Sequence, residues 1–420
     1  MEVGAKGPAG PAADVILRAA RSQDQRMRAL RRRLHEYPET GLILPRTRDS
    51  IVAEIGDLGI DVELGTSVTS VVAVIRGAGD GPTVVLRADM DALPISESAT
   101  ASPRSLLPAR MHACGHDLHS AMLAGVARVL AGLRAAFTGS VALIWQPGEE
   151  GHDGMRAMLD EGLLDLLGPR VVASYGLHTM SDTLPPGVFS GKPGVSHASS
   201  AMFEITVTGA GGHAAFPHAA RDPVPAAAEI VLALQASVSR TINIFDPAVI
   251  TVAAIQAGGP ANVIPDQVVM SGTARAFSPD TARRLPELVN TVARGVAAAH
   301  GLDARVDYRT GYPPVVNDAA EVAVLRAAVE DTLGPRRFVP LSAPIPAGDD
   351  YARLLERVPG AFFLVGAGLQ ENGNLHPNHS AGARFDEAVL ADGAAVLSVA
   401  ALRRLHTGRL PEDAYKGRST

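Results

Sequence analysis

A thiol, three imidazoles and a carboxylate fall within the nine residues Met111–His119 (Met-His-Ala-Cys-Gly-His-Asp-Leu-His). Cys114 is the only cysteine of the chain, which excludes an internal disulfide. A thiolate and an imidazole two residues apart, Cys114 and His116, suit a borderline-soft divalent metal. Gly115 between them allows a sharp turn that aims both inward. Motifs this short also arise on surfaces, and one buried cysteine alone is more often a small hydrophobe than a ligand. The other acids and imidazoles of the chain decide between these readings.

Three apolar runs each end in a possible ligand. Thr83–Ala88 leads into Asp89-Met90-Asp91, Ser140–Gln146 into Pro147-Gly148-Glu149-Glu150, and Arg170–Leu177 into His178. Unbroken apolar runs of this length read as strands buried on both faces, and open α/β sheets bind ligands at the carboxyl ends of such strands. Asp89 reads as an acid that orients a metal-bound residue. Neighbouring side chains of extended backbone point opposite ways, so Glu149 and Glu150 are expected to divide labour between metal and substrate. Near the C-terminus, His376 is a further imaginable ligand, with His379 as its competitor.

Elements that position these groups follow from periodicity. Helices are expected over Ala13–Tyr37, 46–58, Leu118–Leu133, Met155–Asp160, Ala319–Leu333 and Phe385–Leu405, with a further strand at Ala361–Val365. Between about 198 and 310 the order is strand, helix, strand, strand, helix, strand, the βαββαβ pattern of a ferredoxin-like domain. The expected division is a leader over 1–12, a catalytic domain over 13–196 and 311–410, an inserted domain over 197–310 and a tail over 411–420. Inside the insert, His213 sits in a Gly-rich loop, Asn262 in a second loop, and Arg275 at a strand end where it can grip a carboxylate bidentately.

Composition bounds the partners. With 46% apolar and 20% charged residues and a net charge of −6, the chain reads as globular and not as a nucleic-acid binder. Its one basic run, Arg31-Arg32-Arg33, reads as the solvated face of a helix. No apolar stretch is long enough to span a bilayer and no signal peptide is evident, so the expected location is the cytoplasm.

Together, Leu86–Ile95 (LRADMDALPI), Met111–His119 (MHACGHDLH), Gln146–Glu150 (QPGEE), Gly176–His178 (GLH), Gly212–His218 (GHAAFPH), Asn262–Asp266 (NVIPD) and Leu375-His376 resemble one family. It is the metal-dependent amidohydrolases that include hippurate hydrolases, N-acyl-amino-acid amidohydrolases and indole-3-acetyl-amino-acid hydrolases, a branch of the aminoacylase-type metallopeptidases. The resemblance runs from about residue 14 to 405. It implies an α/β, phosphorylase/hydrolase-like mixed-sheet catalytic domain with an inserted dimerisation domain, and a homodimer formed through the insert. It implies two divalent ions, Mn or Zn with Co possible. Cys114 is similar to the ligand that bridges them, with His116, Glu150, His178 and His376 as the others. Glu149 resembles the general base and Asp89 the acid behind a ligand. His213 resembles a residue that enters the partner subunit's site, and Asn262 and Arg275 resemble groups that hold the substrate carboxylate.

The chain departs from the family at Ala109-Arg110, where Gly is usual, over Ser96–Pro108, and at Gly348-Asp349-Asp350-Tyr351. These departures bear on substrate, not on the proposed ligands. The expected reaction is hydrolysis of an N-acyl-amino acid to a carboxylic acid and an amino acid. Divalent ions would make water more acidic and polarise the amide carbonyl. Glu149 would take the water's proton, and His213 would stabilise the oxyanion, worth on the order of 3 kcal/mol for a well-placed donor. The alternatives are a dipeptidase or aminopeptidase on the same scaffold, and a metal-binding dimer without catalysis.

Overall fold

The computed structural model describes residues 11–99, 102–370 and 373–407. Nearly all of the expected leader and the whole expected tail lie outside these. The chain divides into two compact units. One comprises the residues up to Gly194, Val316–Ser342 and those from Arg353 on; the other comprises Val195–Val315 and Ala343–Ala352. The segment around Ile345, expected in the larger unit, falls in the smaller one because its backbone pairs there. Ile345 N–H donates to Ser196 O (2.8 Å), and Ala198 N–H lies 2.9 Å from Ile345 O.

The larger unit is built on an eight-stranded mixed sheet. Its first five strands are β1 (Asp61–Leu64), β2 (Val71–Arg76), β3 (Thr83–Asp89), β4 (Ser140–Gln146) and β5 (Val171–Met180). They lie in the order β1-β2-β4-β3-β5, followed by Gly360–Gly366, Phe189–Gly191 and Phe338–Pro340. β3 and β4 are buried along almost their whole length, as their apolar runs require. β3 runs parallel to β4, with Asp89 opposite Gln146, and parallel to β5, with Arg87 opposite Gly176. That register brings the carboxyl ends of three strands to one edge, and with them Asp89, the Glu149-Glu150 turn and His178.

Four helices matter for the site: α1 (Ala13–Ser22), α2 (Asp24–Glu36), α3 (Pro45–Ile55) and α4 (His116–Gly132). The single helix expected over 13–37 is interrupted at Gln23, where Ser22 Oγ donates back to Ala19 O (2.6 Å). The helix expected to begin at Phe385 begins at Val389. It packs with α4 on the central strands. Of the basic run on α2, Arg32 and Arg33 are half exposed, but Arg31 is not solvated: its side chain is 5% exposed and paired to Asp117 and Glu387.

The smaller unit holds a four-stranded antiparallel sheet in the order Ala248–Ala257, Gln267–Ala276, Ala201–Thr208, Asp303–Thr310. This is the ferredoxin-like arrangement of the expected βαββαβ pattern. Ala201, Phe203, Ile205 and Val207 alternate inward and pack with Ile230 and Leu234 of helix Pro223–Thr241 and Val289 and Ala293 of helix Pro279–Ala299. No helix among the described residues is long and apolar enough to cross a membrane.

Candidate metal centre

At the sheet edge the chain turns from Cys114 into α4 through Gly115, whose φ is +81°. A Cβ there would lie 2.2 Å from Thr179 Oγ1 and 3.2 Å from the Phe385 ring, so only glycine fits on both counts. The turn delivers Cys114 and the fully buried His116 to the ends of β3 and β5.

Two donor groups share the Cys114 sulfur. One contains Cys114, His116 and His178; the other contains Cys114, Glu150 and His379. Within each, the ligand atoms lie within 4.8 Å of one another. Cys114 Sγ is 3.3 Å from His178 Nε2 and 3.2 Å from His379 Nε2, and His379 Nε2 is 3.1 Å from Glu150 Oε1. Metal–ligand bonds of about 2.0–2.3 Å put two donors of a tetrahedral ion roughly 3.5 Å apart. The spacings match this, and S, N and O donors together suit a transition metal.

The expected ligand His376 is not part of either group. His379 takes the position instead, for a backbone reason. His379 N–H donates to Ala113 O (2.9 Å), beside the cysteine, and its φ of +64° turns the ring onto Cys114 and Glu150. Asn378 holds this turn: its Oδ1 accepts from Ser181 N–H (2.9 Å) and Oγ (2.7 Å), and its Nδ2 donates to Thr179 O (3.0 Å). The His376 ring packs against Gly382, and the His376 carbonyl accepts from Ser181 Oγ (2.8 Å).

Glu149 and Glu150 also differ from expectation. They occupy a turn, not extended backbone, and an oxygen of each lies within 4.8 Å of a His116 ring nitrogen. Both therefore face one site. The turn is clamped by Asp91, whose Oδ1 accepts from Glu149 N–H and whose Oδ2 accepts from Glu150 N–H, each at 3.0 Å. Asp91 Oδ1 also lies 3.4 Å from His116 Nδ1. Sequence reasoning passed over Asp91; the signal was the second acid of Asp89-Met90-Asp91.

Asp89 is fully buried and already saturated. Arg87 Nη1 donates to its Oδ2 (2.8 Å), and His119 Nδ1 lies 2.5 Å from its Oδ1. Thr179 N–H donates to His119 Nε2 (2.8 Å), which leaves the His119 proton on Nδ1 to donate to Asp89. His119 thus ties the end of β3 to the residue after His178, a role the spacing His116-x-x-His119 signals.

The electrostatics ask for positive charge. Burial pushes Asp89 up, but His116, Arg87 and His119 outweigh it and hold the carboxyl well below its usual range. Burial pushes His116 down, yet Asp89, Asp91 and Cys114 lift it well above the ordinary imidazole value. Hydrogen bonds to Cys114 and Glu150 push His379 up to about 10. Among the described residues, neither ring nitrogen of His116 completes a hydrogen bond, although both are buried. Buried polar atoms are rarely left so. A buried imidazole beside a thiol and a carboxylate, with neither ring nitrogen partnered, fits a divalent cation.

The description "Peptidase family M20/M25/M40" belongs to a family model that matches residues 85–403. The chain belongs to this family. It is 39% identical to "IAA-amino acid hydrolase ILR1-like 2" of Arabidopsis thaliana, over 92% of this chain and 86% of that one. It is 37% identical to an N-acetylcysteine deacetylase of Bacillus subtilis (strain 168), over 86% and 92%. Among solved structures, the Bacillus subtilis YXEP protein, described as a dinuclear metal-binding peptidase from the M20 family, superposes with a TM-score of 0.79. That match is 32% identical and covers 92% of this chain and 99% of the other. This M20-family chain is a metal-dependent hydrolase of amide bonds.

The other expected site residues lie on the smaller unit. His213 pairs with Val263 in a short ladder, and Ala214 N–H donates to Asn262 O (3.0 Å), so His213 and Asn262 are presented together and exposed. Arg275 is half-buried, which pushes it down against the pull of Tyr312, and it forms no ion pair among the described residues.

Proposed function

We propose that the chain hydrolyses N-acyl-amino acids to a carboxylic acid and a free amino acid, with two divalent ions held by Cys114, His116, Glu150, His178 and His379. The observation that carries this is the pair of donor groups sharing one thiol, with Glu149 beside them. The names of the relatives support the substrate class: one is an IAA-amino acid hydrolase, another an N-acetylcysteine deacetylase. When bound, such ions supply Lewis acidity toward the carbonyl and make water more acidic. The mixed donor set favours Mn, Zn or Co over Mg or Ca.

Glu149 takes the proton of the attacking water and returns it to the departing amine nitrogen. Asp91 keeps Glu149 and Glu150 on the same side of the turn. Arg275, half-buried and without a carboxylate of its own, holds the substrate carboxylate together with Asn262.

The smaller unit supports a homodimer. Strand Ala248–Ala257 is the sheet's edge, and Val249 and Ile255 on it are 49% and 54% exposed; Leu232 on the neighbouring helix is 71% exposed. In such a dimer His213 reaches the partner subunit's site and donates to the oxyanion.

The decisive experiment reconstitutes the protein with Mn and measures amino acid released from benzoyl-, acetyl-, long-chain and indole-acetyl-amino acids, with plain dipeptides alongside. Release from the acylated compounds is expected. Release from dipeptides alone would move the assignment to a peptidase. Light scattering on the same sample should give twice the chain mass, and a monomer that still turns over would remove the dimer.

A further inference from the structure

Behind the ligand turn lies a second buried cluster of charge that touches no ligand atom. Its core is Arg31 and His35, four residues apart on one face of α2. Three segments from distant parts of the sequence meet on that face. The first is the start of α4: Asp117, next to His116, has its Oδ2 2.8 Å from Arg31 Nε in an ion pair and 2.8 Å from His35 Nδ1 in a hydrogen bond. The second is the excursion from Pro94 to Arg110, closed at its base where Leu93 and Met111 exchange two backbone hydrogen bonds of 3.0 Å. Glu97 of this excursion takes His35 Nε2 on Oε1 (2.9 Å) and Ser105 N–H on Oε2 (2.6 Å). The third is the loop that carries His379. Arg31 Nη1 reaches Glu387 Oε1 (3.4 Å), Arg384 Nη1 lies 3.7 Å from Glu97 Oε1, and Ser98 N–H donates to Ala381 O (3.0 Å).

Besides the direct bond of His379 N–H to Ala113 O, two connections run from the turn bearing Cys114 and His116 to the loop bearing His379 by way of α2. One is Asp117–Arg31–Glu387. The other is Asp117–His35–Glu97, continued by Arg384 and by Ser98 on Ala381. Glu150 is fixed independently, by Asp91. The group Cys114, Glu150, His379 is thus the one whose members come from segments that α2 spans, whereas Cys114, His116 and His178 sit on adjoining strand ends and one turn.

We propose that Arg31 and His35 are positioning residues that hold the Cys114–Glu150–His379 group together, so that α2 sets the affinity for one of two ions and leaves the other alone. This rests on the two-ion reading given above. Arg31 suits the task because its planar fork reaches two carboxylates at once, which a lysine ammonium cannot do in the same geometry. His35 bridges two carboxylates with two ring nitrogens, which requires both to carry protons.

The test titrates metal-free protein with Mn2+ and counts bound ions from the paramagnetic resonance of the free ion. Wild type is expected to take two. Arg31→Lys and Glu97→Gln are expected to bind one ion as in wild type and the other roughly 10- to 100-fold more weakly, the usual cost of removing a group that orients a ligand. Circular dichroism should be unchanged. Equal affinity for both ions in the variants would overturn the proposal, whatever happens to stability; so would parallel weakening of both. If Arg31→Lys does not fold, the near-isosteric Glu97→Gln decides. Wild type that binds fewer than two ions would overturn the two-ion reading first, and this proposal with it.

Discussion

The start of α4 separates two buried charge clusters of opposite design. On its rear side Asp117, Glu97 and Glu387 are matched by Arg31, His35, Arg32 and Arg384, with a cation against Asp117 Oδ2, Glu97 Oε1 and both Glu387 oxygens. On its front side Asp91, Glu149, Glu150 and the Cys114 thiol converge with the imidazoles of His116, His178 and His379, and no arginine or lysine is paired to Asp91, Glu150 or Cys114 among the described residues. Buried charges persist when they are paired or coordinate metals. The rear cluster takes the first course and the front cluster the second. A group of acids in a protein interior is thus read by whether its cations are covalently part of the chain.

That contrast can be broken most severely at Glu149. Glu149→Ala should lower kcat by roughly 10²- to 10⁴-fold, the worth of a general base, while the protein keeps its full metal content. Turnover near wild type, with metal retained, would take the base away from Glu149. A smaller effect separates the two candidate histidines. His379→Ala should weaken metal binding by at least roughly tenfold, since it removes a ligand where losing only its support costs 10- to 100-fold. His376→Ala should leave binding unchanged, because its ring lies against Gly382. The reverse pattern in a metal titration would restore His376.

The smallest effect is on stability, and it sharpens the rear cluster. Burial pushes Asp117 up, but Arg31 and His35 hold it far below the usual carboxylate range. Its contribution is therefore present above the unfolded value of about 4 and lost as pH falls through the folded one. Burial pushes His35 down, yet Asp117 and Glu97 raise it overall. Its contribution is present below about 6.5 and lost as pH rises through the raised folded value. Urea melts of the metal-free protein should weaken from pH 6 upward, and His35→Gln should flatten part of that slope. An unchanged slope in the variant would show that His35 does not carry its charge in the folded state.

Much of the front cluster was legible because parallel strands buried on both faces write themselves as unbroken apolar runs. Their ends pointed to Asp89, Glu150 and His178 without any knowledge of register. The choice between His376 and its competitor His379 was not legible. Its position depends on a left-handed residue and on the clamp made by Asn378, and neither alters the local pattern around Leu375–Ser380. That Glu149 and Glu150 both lie near His116 was not legible, because alternation holds for extended backbone and they lie in a turn. Arg31 misled for the opposite reason. Its helix face looks polar and solvated locally, while the carboxylate that buries it is 356 residues away. The four long strands and two helices of the ferredoxin-like unit were readable, its inner strand Ala201–Thr208 alternating cleanly.

Cys114 has one more consequence, for the chemist at the bench. It is the sole thiol of the chain and is only 6% exposed, lodged between the His178 and His379 rings. Any thiol-selective reagent consumed by native protein is consumed there. The mass added per chain is therefore a census of the molecules whose centre stands open, taken without assay, substrate or spectroscopy.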